Sequence, residues 1–141
     1  MLAPPQKEMA VKRDLDLIRD LLLYLEALPV PPSSTYTVPV ADIATALRSH
    51  DPRKIAHHLE MLIDSGLLIV VGKGLGGHDE LMFHRISWVG HDFIDCVRHP
   101  DVWYKTKLAA EHAGGWTFDL VFELGKAYVK RNIAEATEIE L

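Results

Sequence analysis

The sequence predicts a mainly α-helical fold with one small β-hairpin, an α+β arrangement. Two observations carry that expectation. Apolar residues recur at helical spacing through most of the chain. The period changes once, between Leu67 and Ser87, where two aliphatic, β-branched runs flank a glycine-rich turn.

Residues 1–10 are Pro-containing and aperiodic and are expected to form a flexible arm. Leu15, Ile18, Leu22 and Leu25, widened by Leu17 and Leu21, predict a first helix from Lys12 to Ala27. Pro29, Pro31 and Pro32 end it. Tyr36–Val38 fits a short strand, and Val40–Leu47 a short helix with Ile43, Ala44 and Leu47 on one face. A turn through Arg48, Ser49 and His50 leads to Asp51, a good N-cap, and Pro52, which suits a first helical position where a missing N–H does no harm. The next helix is expected over Pro52–Ser65, with Ile55, Leu59, Leu62 and Ile63 inward and Gly66 as a left-handed stop.

Leu67–Val71 then reads as a strand, Gly72–Asp79 as a flexible turn, and Leu81–Ser87 as the return strand. A two-helix turn placed directly before a glycine-tipped hairpin is the order of a winged helix-turn-helix, assigned here to residues 11–90. Three further helices, Val89–Arg98, Asp101–Ala113 and Thr117–Ile133, form an extension over 91–133 expected to pack on that core. Residues 134–141, with Glu135, Glu138 and Glu140, form an acidic tail expected to fray.

Net charge is −5 over 141 residues, which argues against coating nucleic acid by bulk electrostatics. The distribution is uneven. Residues 1–47 carry four basic and six acidic groups, 48–90 five of each, and 91–141 six basic and nine acidic. Any basic surface must therefore be local to the middle of the chain. No apolar run reaches the roughly 18 residues that span a bilayer. The first residues lack a basic-then-apolar secretory pattern, so a cytoplasmic protein without membrane attachment is expected. The single Cys96 allows no internal disulfide.

In a helix-turn-helix the second helix meets base edges in the major groove. That assigns Arg53, Lys54 and His57, with His58 at the edge, as candidate contacts to double-stranded DNA; Arg53 can bridge a guanine with two hydrogen bonds. Lys73 with His78 at the hairpin tip, and Arg85 on the return strand, are candidate contacts to phosphates or to a minor groove. The competing reading is a solvated amphipathic helix, with glycines that serve only the turn. Gly72, Gly74 and Gly77 mimic a dinucleotide-binding spacing, but a strand and not a helix follows them, so no nucleotide cofactor is expected. Adjacent His57 and His58 point about 100° apart on a helix, and His84, His91 and Cys96 lack zinc-site spacing, so no metal is expected. His91-Asp92 has no nucleophile elbow beside it, and His91 is expected to pack or cap. No catalytic constellation is visible, and an enzyme is not expected. The aromatic set Trp88, Phe93, Trp103, Tyr104, Trp116, Phe118 and Phe122 is expected mostly to seal the extension against the core. The C-terminal helices, above all the last, are the candidate homodimer element.

Val11–Asp20, Ile86–Asp95, His58-Leu-x-x-Leu-x-x-x-Gly-Leu67, Val102-Trp-x-x-Thr-Lys107 and Gly114-Gly115 together resemble a family of small bacterial and prophage proteins carrying a domain of unknown function. The resemblance covers residues 11 to 131. The stretch Trp88-x-Gly-His-Asp-Phe is its most distinctive part. Val89 stands where the family carries Glu, and the Pro29–Ser34 loop is longer here. The resemblance implies a phage or mobile-element setting and transfers no catalytic residue. Ser87-Trp-Val-Gly90 also resembles, more loosely, the Thr/Ser-x-x-Gly turn that follows the hairpin in winged-helix regulators. The expected function is a DNA-binding transcriptional regulator. The alternative is a winged-helix protein-interaction module, such as a phage-encoded inhibitor or adaptor, which the acidic total would suit.

Overall fold

A computed structural model describes residues 11–76, 79–115 and 117–139. The expected N-terminal arm, Gly77 and His78 of the hairpin turn, Trp116 and Glu140 lie outside the described residues. The elements are α1 (Leu15–Glu26), β1 (Tyr36–Pro39), α2 (Val40–Ala46), α3 (Pro52–Asp64), β2 (Leu68–Leu75), β3 (Glu80–Ile86), α4 (Trp88–Val97), α5 (Pro100–His112) and α6 (Phe118–Thr137). The fold is α+β: helices around one small antiparallel sheet of order β1-β3-β2.

Local chemistry explains the boundaries. Asp14 caps α1 by accepting the Leu17 N–H at 3.2 Å, so the helix starts at Leu15 and not at Lys12. Asp51 caps α3 through the Arg53 N–H at 2.7 Å, with Pro52 at the first helical position. Gly66 takes φ +78 and turns the chain towards β2. Ser87 caps α4 by accepting the Gly90 N–H at 3.1 Å, and Thr117 caps α6.

The sheet differs from expectation at one place. β2 does not stop at Val71. Val70 pairs with Phe83 and Leu75 with Leu81, so Val71–Gly74 bulge out opposite the single residue Met82. Gly72 (φ +61) and Gly74 (φ +87) make this possible. Gly74 is buried, and a Cβ there would lie 2.6 Å from the Ile63 Cδ1 of α3. These glycines therefore serve a bulge pressed against α3 rather than a loose hairpin tip.

Leu17, Leu21, Leu22 and Leu25 of α1 form the centre of the core. Ile43, Ile55, Leu59 and Leu62 of α2 and α3, Leu81 and Phe83 of β3, and Phe93, Ile94 and Val97 of α4 close around them. The last three helices continue this core. Phe93 and Phe118 rings stand 4.7 Å apart, and Gly125 of α6 sits against Val97 and Cys96. Arg19 caps the end of α4, donating to the carbonyls of Val97 (2.7 Å) and Arg98 (2.6 Å). Arg98 in turn grips Glu26 with two bonds of 2.6 and 2.7 Å, and Trp103 Nε1–H donates to Asp16 at 2.7 Å.

Three further expectations are corrected here. Trp88 does not seal the extension: it is 86% exposed, and Tyr104 is exposed as well. α6 runs past Ile133 to Thr137, helped by an Arg131–Glu135 pair at i,i+4, so that part of the acidic tail is helical. His91 neither packs nor caps; it is exposed, with Nδ1 3.7 Å from a Glu26 oxygen.

Candidate functional site

α3 packs on α1, α2 and β2 and turns its remaining face to solvent. Arg53, His57, Glu60 and Asp64 are exposed along it. Arg53 stands in the first turn and lines a shallow cleft of about 300 Å³ with Val40, Pro52 and Asp79. Since the Val40 N–H donates to the Asp79 carbonyl at 2.8 Å, the starts of α2 and α3 and the β2–β3 connection share one end of the molecule.

Two of the six residues assigned from sequence leave this surface. His58 is fully buried. Its Nε2 accepts the Asp14 N–H at 2.8 Å and its Nδ1 faces the Lys54 carbonyl at 2.8 Å. A backbone N–H can only donate, so Nε2 must offer a lone pair and Nδ1 carries the proton. The ring is neutral, and burial pushes its pKa below the usual 6.5 against the pull of the Lys54 carbonyl and the Asp14 charge. It ties α1 to α3 and reaches no partner outside the chain. Lys54 is the second departure. Its Nζ lies 2.7 Å from Asp14 Oδ2, both side chains partly shielded from water. Burial raises the pKa of the Asp14 carboxyl, but the Lys54 ammonium and the Leu17 N–H outweigh it and hold it below the usual value. Much of the Lys54 charge is thus spent inside the protein.

Of the remaining four, Lys73 and Arg85 are exposed but lie apart from Arg53 and His57. Lys73 sits on the β2 bulge, whose neighbour Gly74 presses on Ile63 in the last part of α3. Arg85 pairs with Ile69 across the sheet and lines a different cleft, with Glu26, Pro31 and His91. The structure therefore gathers Arg53 and His57 on one helix face with Lys73 near its far end, and sets Arg85 elsewhere. Arg48, exposed in the turn before α3 with Nε donating to the Thr45 carbonyl at 3.4 Å, is a cation that sequence reasoning did not select. Its position two residues beyond the short α2, in the turn before α3, was the available signal. Among the described residues no group of three or more His, Cys, Asp or Glu side chains is placed to hold a metal ion, and no helix is long and apolar enough to cross a membrane.

Residues 12–116 match the family model described as hypothetical protein (DUF2513). The chain belongs to this family. The chain is also similar to an uncharacterized protein of Haemophilus influenzae, 26% identical over 97 residues, which are 69% of this chain and 76% of that one. No solved structure matches. The DUF2513 match takes in α1 through α5, and with them Arg53, His57, Lys73, Asp14 and His58; α6 lies beyond it.

Proposed function

We propose that residues 36–86 form a winged helix and that this DUF2513 protein binds double-stranded DNA without catalysing a reaction, as a cytoplasmic regulator of phage or mobile-element genes. The observation that carries the reading is the open face of α3. Its first turn carries Arg53, its second turn His57, both exposed, and the exposed cation Arg48 precedes it, with the hairpin beside it. The order β1-α2-α3-β2-β3, with β3 central in the sheet, is the arrangement in which a second helix enters a major groove and the hairpin flanks it. In this reading Arg53 and His57 meet base edges, Arg48 and Lys73 meet phosphates, and Lys54 and His58 hold α3 at its angle on α1.

A second reading, a protein-interaction module, rests on Glu60 and Asp64, which share the exposed face of α3 and weaken its attraction for phosphate. Fluorescence anisotropy on a mixed-sequence duplex separates the two. The two phosphates met by Arg48 and Lys73 give a slope of about −0.9 each against log salt, hence roughly a 12-fold loss of affinity for a fourfold rise in salt. Arg53→Ala should weaken binding further, and Lys54→Ala much less per folded molecule. Absence of binding at low salt would favour the protein-interaction reading.

A further inference from the structure

Arg85 takes no part in the exposed face of α3. Its guanidinium is exposed and forms no hydrogen bond or ion pair with any described residue. It lines a cleft of about 270 Å³ between the end of α1, the loop that follows it, β3 and the start of α4. Leu28, Val30, Pro31 and Phe83 give the cleft apolar walls. The loop is set in place without a ligand. The Val30 N–H donates to the Leu28 carbonyl at 2.9 Å, the Ser34 N–H to the Pro31 carbonyl at 3.2 Å, and His84 Nδ1–H to the Ser34 carbonyl at 2.6 Å. Among the described lining residues the only carboxylate is Glu26. Arg98 grips both of its oxygens, at 2.6 and 2.7 Å, and holds its pKa below the usual carboxylate range. The Glu26 charge is therefore met from outside the cleft, while that of Arg85 is not. A preformed apolar cleft with one placed charge is the arrangement of a small-molecule site.

We propose that this cleft binds a compact monocarboxylic acid, its carboxylate on Arg85 and its short apolar tail among Leu28, Val30 and Phe83. A guanidinium presents a planar fork that takes both oxygens of a carboxylate. His91, exposed and lining the same cleft, offers a further N–H donor. One unmet positive charge suits one negative charge; a phosphate dianion would set its second charge against Glu26. The volume is a little under the roughly 300 Å³ at which ligand pockets begin, so the cleft suits a short-chain acid and not a nucleotide. The apolar walls give an amide no partner, which favours a free acid over the C-terminus of a protein chain. None of the described lining residues belongs to α2 or α3, so the site stands independently of DNA binding.

A backbone amide NMR titration of the full chain with sodium hexanoate, without nucleic acid, tests this. Hexanoate should shift the Val30, Arg85 and His91 amides to saturation, with a millimolar Kd in keeping with so small a ligand. Three comparison ligands should each bind at least tenfold more weakly: acetate, which lacks the tail, 1-hexanol, which lacks the charge, and N-acetylleucine, standing in for a chain terminus. Arg85→Gln, at an exposed site whose backbone pairing with Ile69 is retained, should keep the wild-type circular dichroism and weaken hexanoate at least tenfold. Lys105→Gln, which removes an exposed cation of α5, should change nothing. Hexanoate shifts that do not saturate, a comparison ligand bound as tightly as hexanoate, normal binding by Arg85→Gln, or loss of binding in Lys105→Gln would overturn the proposal.

Discussion

Replacing His58 by alanine distinguishes a residue that holds the fold from one that touches a ligand. The imidazole is fully buried between α1 and α3, and its Nε2 satisfies the backbone N–H of Asp14. Truncation has two costs. An N–H left without an acceptor costs about 1–3 kcal/mol. The void left by a large side chain costs about 2–5 kcal/mol when nothing moves in. The two overlap, because the Asp14 end of the site is only partly buried and water entering there would satisfy the N–H. A total of about 3 kcal/mol follows. With a urea slope of about 2 kcal/mol per molar, the unfolding midpoint should fall by about 1.5 M. The assay is urea unfolding followed by circular dichroism, beside duplex binding scored per folded molecule. The expected result is a large drop in midpoint with binding nearly intact. A His58→Ala protein as stable as wild type, with weakened binding, would refute the placement of this ring.

Two other perturbations follow from the same geometry. Gly90→Ala should destabilise by about 1–2 kcal/mol: helix propensity favours alanine by about 1 kcal/mol, but a Cβ crowded by both the Leu67 carbonyl and Ile86 takes the upper part of the usual overpacking cost, about 2–3 kcal/mol; a urea midpoint at or above wild type would contradict the contact. Acid should weaken the fold through His58, because burial lowers its folded pKa and the unfolded chain then binds the proton more readily; its contribution is complete above about pH 6.5 and declines as pH falls from there towards the folded value. Urea midpoints measured from about pH 7.5 to about pH 5 should therefore decline more steeply in wild type than in His58→Phe, and parallel profiles would contradict the assignment.

What the sequence made legible was local. Asp51, Pro52 and Gly66 mark the limits of α3 through capping and backbone chemistry that act within a few residues, and both limits hold to within one residue. β1, the hairpin and the three C-terminal helices follow from apolar period and turn residues in the same way. What depends on distant partners was not legible. Lys54 reads as a free cation because Asp14 lies forty positions away and only the packing of α1 across α3 unites them. His58 is an instructive case. Three residues after Ile55 and four before Leu62, it falls inside the buried stripe at about 100° per residue, and its polarity alone suggested an edge. The β2 bulge was hidden because glycines permit a tip and a bulge equally, and only the register with β3 selects between them. Trp88 was misjudged because aromatic residues are usually buried, whereas here the faces of α4 used for packing carry Gly90, Phe93, Ile94 and Val97.

The most direct test of the account is a backbone amide NMR titration of the full chain with a short mixed-sequence duplex at low salt. DNA binding through α3 predicts saturable shift changes concentrated at Arg48, Arg53, His57 and Lys73, with the α4 to α6 amides unmoved. Shifts confined to the C-terminal helices, or none at any duplex concentration, would contradict it.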